Sequence, residues 1–264
     1  MTTMDWTRTP DLLKGRTAIV TGAGGGIGRG LALALGLAGA NVTVAARRGV
    51  TGEETAELVR KDGGTALAIE TDVSERAAVE RMVAEAARVF GGIDIAIHNA
   101  SSGLSGQSFK LEDISDADWD EQVGVALNAA FHLAQTTFPY LKNTGRGRFI
   151  VFNSSQGLHG GAMNPVYTAT KSAQRGFVKA LAREWGPYDI IVNAVAPAAL
   201  TDTAKVYLDA DPQRSAQAMK SFPLGRMGNM RDDIGAVVVA LCSDYWRYVT
   251  GLTVPVDGGY YTAL

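Results

Sequence analysis

Seven short apolar runs rich in β-branched residues punctuate the chain, at Ala18–Val20, Val42–Ala46, Ala66–Ile69, Ile93–Ile97, Phe149–Phe152, Ile190–Val195 and Leu252–Val256. Runs of this length without polar alternation suit strands buried on both faces. Helical spacing fills the intervals: Val79, Met82, Val83, Ala86 and Phe90 recur every three or four residues, and Ser115 with Asp118 makes a capping box ahead of Trp119. Strands that alternate with helices pair in parallel, because a parallel neighbour needs a crossover and the crossover covers the sheet. The expectation is one α/β domain over residues 1–264, a doubly wound parallel sheet of about seven strands with helices on both faces. Ligands of such sheets bind outside the carboxyl ends of the strands. Residues 198–230 break the rhythm with Asp-Pro, Phe-Pro, Leu-Gly and Met-Gly-Asn punctuation, and predict a lid over that edge.

Glycine is the second constraint. Of 31 glycines in 264 residues, five fall in Thr21-Gly22-Ala23-Gly24-Gly25-Gly26-Ile27-Gly28, and no G-X-Y period accounts for the surplus. The segment joins a strand-like run to the helix-forming Leu31–Leu37. Glycine lets the backbone turn tightly and approach a pyrophosphate, while a helix N-terminus offers free N–H groups and partial positive charge. An empty glycine turn is the ordinary alternative for a lone motif; five glycines at one strand-to-helix junction favour a dinucleotide site.

A net charge of -2, from 25 basic and 27 acidic residues in no long run of one sign, leaves no nucleic-acid footprint. The longest apolar stretch, Leu31 to Ala40, is broken by Gly36 and Gly39 and falls short of the ~20 residues of a membrane span. The start, MTTMDWTRTPD, lacks the apolar core and basic opening of a signal peptide. These features point to a cytoplasmic protein with no membrane partner. Cys242, the sole cysteine, reads as a buried apolar residue beside Ala240 and Leu241. No spacing joins His98, His132 and His159 to carboxylates as a metal set.

Tyr167-Thr168-Ala169-Thr170-Lys171 opens a helical stretch that runs through Ala182, so Tyr167 and Lys171 share a face. A tyrosine with its ordinary pKa of about 10 is a sluggish base near neutrality unless a neighbouring cation favours the phenolate. Lys171 is placed to do that. Such a pair arises often by chance and gains weight only with the rest of a set.

The glycines fit G-x-x-x-G-x-G at Gly22, Gly26 and Gly28 behind Thr21, and Ser154 stands thirteen residues before Tyr167. In these features the chain resembles the short-chain dehydrogenase/reductase family over nearly its whole length. The resemblance implies a Rossmann-like fold and a catalytic set of Asn128, Ser154, Tyr167 and Lys171, with Ser155 as the rival serine. It further implies hydride transfer between nicotinamide and a carbinol carbon. Tyr167 would exchange the proton, Ser154 would bind the substrate oxygen, and Lys171 would lower the Tyr167 pKa and grip the ribose, with Asn128 holding a water. Besides Gly22, Gly24, Gly25, Gly26, Ile27 and Gly28, cofactor contacts are implied for Asp72, Val73, Asn99, Ala100, Pro197, Ala199, and Thr201 or Thr203. Ala198 stands where the family usually has glycine.

From Arg29 through Gly52 there is no acidic residue to bind a ribose 2′-hydroxyl, and Arg47 and Arg48 follow Ala46 at the end of the second run. Basic residues there accommodate a 2′-phosphate, which favours NADP(H), with NAD(H) as the alternative cofactor. Leu104, Leu158, Met163, Val206, Tyr207, Met219, Phe222 and Leu224, with His159, compose a mostly apolar candidate pocket. They favour a small apolar ketone or secondary alcohol as substrate. A non-catalytic dinucleotide-binding regulator would not need all four catalytic residues. Enoyl reductases of related sequence space their Tyr and Lys more widely, and epimerases of this fold carry a longer C-terminal region. The resemblance also implies a homotetramer, with the 116–140 and 167–185 helices at one interface and the C-terminal strand at another.

Overall fold

The structure, a computed structural model, describes residues 11–262, leaving aside the side chains of Asp202, Thr203, Tyr207, Pro212 and Arg214. All seven expected strands form: β1 (Thr17–Thr21), β2 (Asn41–Ala46), β3 (Thr65–Glu70), β4 (Ile95–His98), β5 (Arg148–Phe152), β6 (Ile191–Pro197) and β7 (Thr253–Val256). They make one parallel sheet in the order β3-β2-β1-β4-β5-β6-β7. β1, β4 and β5 are buried throughout, as continuous apolar runs require in a sheet covered on both faces. β4 starts two residues later than the apolar run. Just before it, the Asp94 backbone donates to Thr17 O and accepts from Arg148 N, and its carboxylate also accepts from the Thr17 amide (2.9 Å) and from Arg146 Nε (2.8 Å), which fastens the strand entrances together.

The helices are α1 (Gly26–Leu37), α2 (Gly49–Lys61), α3 (Arg76–Phe90), α4 (Asp116–Val123), α5 (Ala129–Thr144), α6 (Gln156–His159), α7 (Pro165–Trp185), α8 (Asp202–Asp209), α9 (Pro212–Met219) and α10 (Ala236–Cys242). The Ser115–Asp118 capping box forms as expected. Two apolar cores result. One, around Leu31, Leu35, Val42 and Val238, lies under α1, α2 and α10; the other, around Met82, Leu133, Phe149 and Trp185, lies under α3, α5 and α7. Cys242 is buried, and burial pushes its thiol pKa up to about 12. Among the described residues no helix is long and apolar enough to cross a membrane.

Two π-turns interrupt the helical layers. One, Gly124–Asn128, joins α4 to α5; the other, Met230–Gly235, leads into α10 and packs on α1. The irregular stretch expected over residues 198–230 contains α8 and α9, and its ends are tied. Leu200 N donates to Gly228 O (2.9 Å), and Gly228 N donates to Ala198 O (2.9 Å).

α1 approaches the second π-turn so closely that a Cβ on Gly30 would stand 2.6 Å from the Met230 carbonyl carbon. Gly30→Ala is therefore expected to destabilise the fold by about 1–3 kcal/mol despite alanine's better helix propensity. A urea titration reads this as a lower midpoint with an unchanged slope; an unaltered midpoint would refute the close packing.

Candidate active site

At the carboxyl edge, the chain leaves β1 for α1 and leaves β4 in the other direction, and between them opens a cleft of about 470 Å³. Gly22, Gly25, Gly26, Ile27 and Gly28 line one wall. Gly22 has φ +66°, and a Cβ there would lie 2.8 Å from Ala100 Cα; one on Gly28 would run into the Gly22 carbonyl oxygen. The loop thus has no room for side chains. α1 begins at Gly26 with no side-chain cap and no acidic residue in its first turn, so its amides face the cleft unopposed. A backbone cradle at a helix N-terminus fits a pyrophosphate. Thr21 and Asn99 hold its shape: Thr21 Oγ1 accepts from the amides of Asn99 (3.1 Å) and Ala100 (3.2 Å), and Asn99 Nδ2 donates to Thr21 O (3.0 Å) and Gly22 O (3.3 Å).

Arg47, Asp72, Val73, Asn99, Ala100, Pro197 and Thr201 also line the cleft, whereas Gly24, Arg48 and Ala199 do not. The Gly24 carbonyl is held from outside by Arg29 Nη2 (2.8 Å), Arg48 precedes α2 as its N-cap, and Ala199 is buried in the core where the 198–228 segment closes. The side chain of Thr203 lies outside the described set.

At the inner end, Phe152, Asn153 and Ser154 follow β5 and meet Tyr167 and Lys171 from α7. Ser154, and not Ser155, lines the cleft together with Tyr167, and its side chain acts to lower the Tyr167 pKa. Asn153 joins the two elements: its Oδ1 accepts from Ser154 N (2.9 Å), and its Nδ2 donates to Lys171 O (2.7 Å). Lys171 Nζ donates to Phe152 O (2.7 Å) and stands 5.6 Å from the Tyr167 ring. Burial lowers the Lys171 pKa to about 8. Burial also raises that of Tyr167, against the opposing effect of Ser154, so in the protein alone the tyrosine is held protonated rather than drawn toward phenolate by Lys171.

Asn128 does not join this group. Val125 lines the cleft, and Asn128, at the end of the π-turn, is exposed. Leu104, Leu158, His159 and Met163 also lie outside the lining, and the Tyr207 side chain is not described. His159 stacks on Tyr261 with ring centroids 6.0 Å apart, and Phe222 packs on Tyr260 at 5.2 Å, so these residues bridge the C-terminal segment to its neighbours. Val206 and Leu224 are exposed. Sequence reasoning missed Thr71, Ser101, Ser102, Val125, Phe152 and Asn153 as lining residues. Adjacency to Asp72, Ala100 and Ser154 was an available signal for most of them; no neighbouring motif marked Val125.

A family model described as enoyl-(acyl carrier protein) reductase matches residues 22–261. The chain belongs to the short-chain dehydrogenase/reductase family and is an NAD(P)-dependent oxidoreductase of that family. It is 36% identical over 250 residues to a 2-dehydro-3-deoxy-D-gluconate 5-dehydrogenase of Bacillus subtilis, covering 94% of this chain and 95% of that one. Over 259 residues it is 36% identical to an L-rhamnose 1-dehydrogenase (NAD(P)(+)) of Azotobacter vinelandii, covering 96% and 99%. The crystal structure of a putative short-chain alcohol dehydrogenase from Sinorhizobium meliloti superposes with a TM-score of 0.88 at 37% identity, covering 95% of this chain and 98% of that one.

The buried lysine makes a stability prediction. Its folded-state pKa of about 8 lies below the ordinary 10.5, so between these values the unfolded chain binds more protons and stability rises with pH. Lys171→Met is therefore expected to melt at a higher temperature than wild type at pH 7, with the gap closing as pH approaches 10.5. A gap independent of pH would contradict the burial of a charged lysine.

Proposed function

We propose that this enzyme interconverts a ketone and a secondary alcohol by hydride transfer, using NADP(H) in preference to NAD(H). The observation that carries the reading is the meeting of Ser154, Tyr167 and Lys171 at the inner end of the cleft whose outer wall is the glycine loop. When bound, the nicotinamide cofactor supplies or takes up the hydride. Tyr167 donates or removes the carbinol proton at its hydroxyl, and its burial-raised pKa keeps it a proton donor at neutral pH, which favours carbonyl reduction. Ser154, which lines the cleft beside that hydroxyl, orients the substrate oxygen where negative charge develops. Lys171, its ammonium held by the Phe152 carbonyl and 5.6 Å from the tyrosine ring, would bind the ribose of the cofactor. Gly25, Gly26 and Ile27 receive the pyrophosphate at the start of α1.

Arg47 supports the cofactor preference. It is exposed at the mouth of the cleft and forms no ion pair among the described residues, so its guanidinium is free for a 2′-phosphate. Arg48, outside the lining, has no direct part. The substrate is a small carbonyl compound taken up beside Ser102 and Val125. Residues 198–230 serve as its lid, hinged at the Ala198–Gly228 neck. A homotetramer would cover the aromatic groove between α5 and α7, where Phe131, Phe138 and Phe177 lie together.

Tyr167→Phe should lower NADPH-dependent reduction across a ketone panel by about 10²–10⁴-fold, followed at 340 nm, while retaining cofactor binding; full activity would remove Tyr167 from the proton-transfer role. Arg47→Ala should erode the NADPH preference by raising the KM for NADPH about 10-fold or more and leaving that for NADH nearly unchanged. Equal efficiency of the wild type with both cofactors would refute the role given to Arg47.

A further inference from the structure

The carbonyl of Ala126, inside the π-turn Gly124–Asn128, accepts two side-chain hydrogen bonds in the protein interior. His98 Nε2, from the end of β4, lies 3.0 Å away, and Gln174 Nε2, from α7, lies 2.8 Å away. A carbonyl can only accept, so Gln174 must turn its NH2 toward Ala126 and His98 must carry its proton on Nε2. The orientation of the carboxamide is therefore determined, and its Oε1 points away, fully buried and without a partner. Three residues earlier on the same face of α7, the Lys171 ammonium has three protons and one recorded bond, to Phe152 O. A buried acceptor without a donor thus shares one face of α7 with a buried donor that has protons to spare. Gln122 Oε1, one turn before Ala126 on α4, is a second buried acceptor without a partner, and α4 packs on α7.

We propose that Gln174 is a positioning residue for Lys171: anchored to the Ala126 carbonyl by its Nε2, it offers Oε1 through a bridging water to the Lys171 ammonium. A polar site with at least two partners is what an internal water requires. The ionisable groups facing Lys171 are Tyr167 on its own helix and His98 on β4; the π-turn contributes none, and Glu121 on α4 is engaged by Ser102 Oγ at 2.6 Å. His98 is kept neutral by burial and by the lysine charge, so it adds no competing cation. The catalytic consequence rests on the role proposed above for Lys171 and Tyr167. A better-held ammonium would ease removal of the Tyr167 proton against the burial that retains it, and Gln174 would supply from α7 the support that Asn128, facing solvent, does not.

The test is an NMR titration of the cofactor-free protein with isotope-labelled lysine, the Lys171 signal being assigned by its loss in Lys171→Met. Gln174→Met, an apolar replacement of similar length, should lower the Lys171 pKa by about half a unit or more, and Gln174→Glu should raise it. Opposite shifts in two folded variants are not what loss of packing produces. If Gln174→Met does not fold, the upward shift in Gln174→Glu decides alone. A Lys171 pKa unmoved in the variants that fold overturns the proposal. In alcohol oxidation, Gln174→Met should shift the rising limb of the kcat–pH profile to higher pH with the cofactor KM unchanged. If the wild type oxidises and reduces no substrate, the functional reading fails, while the lysine titration still decides the role of Gln174.

Discussion

The carboxyl edge of the sheet depends on one clamp. β1 and β4 lie side by side, but the chain departs from them in opposite directions, and a cleft between diverging segments needs something to stop it from widening. Thr21 and Asn99 provide it, the hydroxyl taking two amides from the β4 side and the carboxamide taking hold of two carbonyls on the β1 side. Gly22 and Gly28 then matter because the clamp draws backbone against backbone. The cradle for a pyrophosphate and the spacing to the inner residues both follow from that contact.

The inner group is costly in a different currency of physics, solvation. Lys171 and His98 are deeply buried, and burial lowers the pKa of each while raising that of Tyr167. Each group is thereby moved toward its neutral form in a site assembled from β4, β5 and α7. Such an arrangement subtracts from folding stability and persists only because two large apolar cores, one on each face of the sheet, hold the elements in place.

Much of this architecture was legible in the amino-acid order. Strands buried on both faces announce themselves as unbroken apolar runs, and all seven expected ones are present, with boundaries moved by a residue or two. The glycine loop, Ser154, Tyr167 and Lys171 were readable because chemistry and spacing constrain them together, and they line one cleft. Asn128 was assigned by resemblance alone, with no spacing to Tyr167 or Lys171 that could check it, and in the π-turn it faces solvent. The apolar residues assigned to the substrate pocket failed similarly, because apolar character on a loop does not say what the loop packs against. His159 and Phe222 turn to the C-terminal aromatics instead.

The neck of the segment after β6 has a consequence for how such an enzyme changes over time. Leu200 and Gly228 are already joined by backbone bonds, and Phe222 and Leu224 tie the far part of the segment to Tyr260 and Gly258, so the stretch over 202–220 is the part least coupled to the sheet. Lengthening a surface loop adds only slowly to the entropy of closing it, about 0.6 kcal/mol per doubling. Residues in that stretch, proposed above as a lid, can therefore be exchanged while Ser154, Tyr167 and Lys171 stay where β5 and α7 set them. Diversification of substrate range and preservation of the chemical step become separable events in one chain.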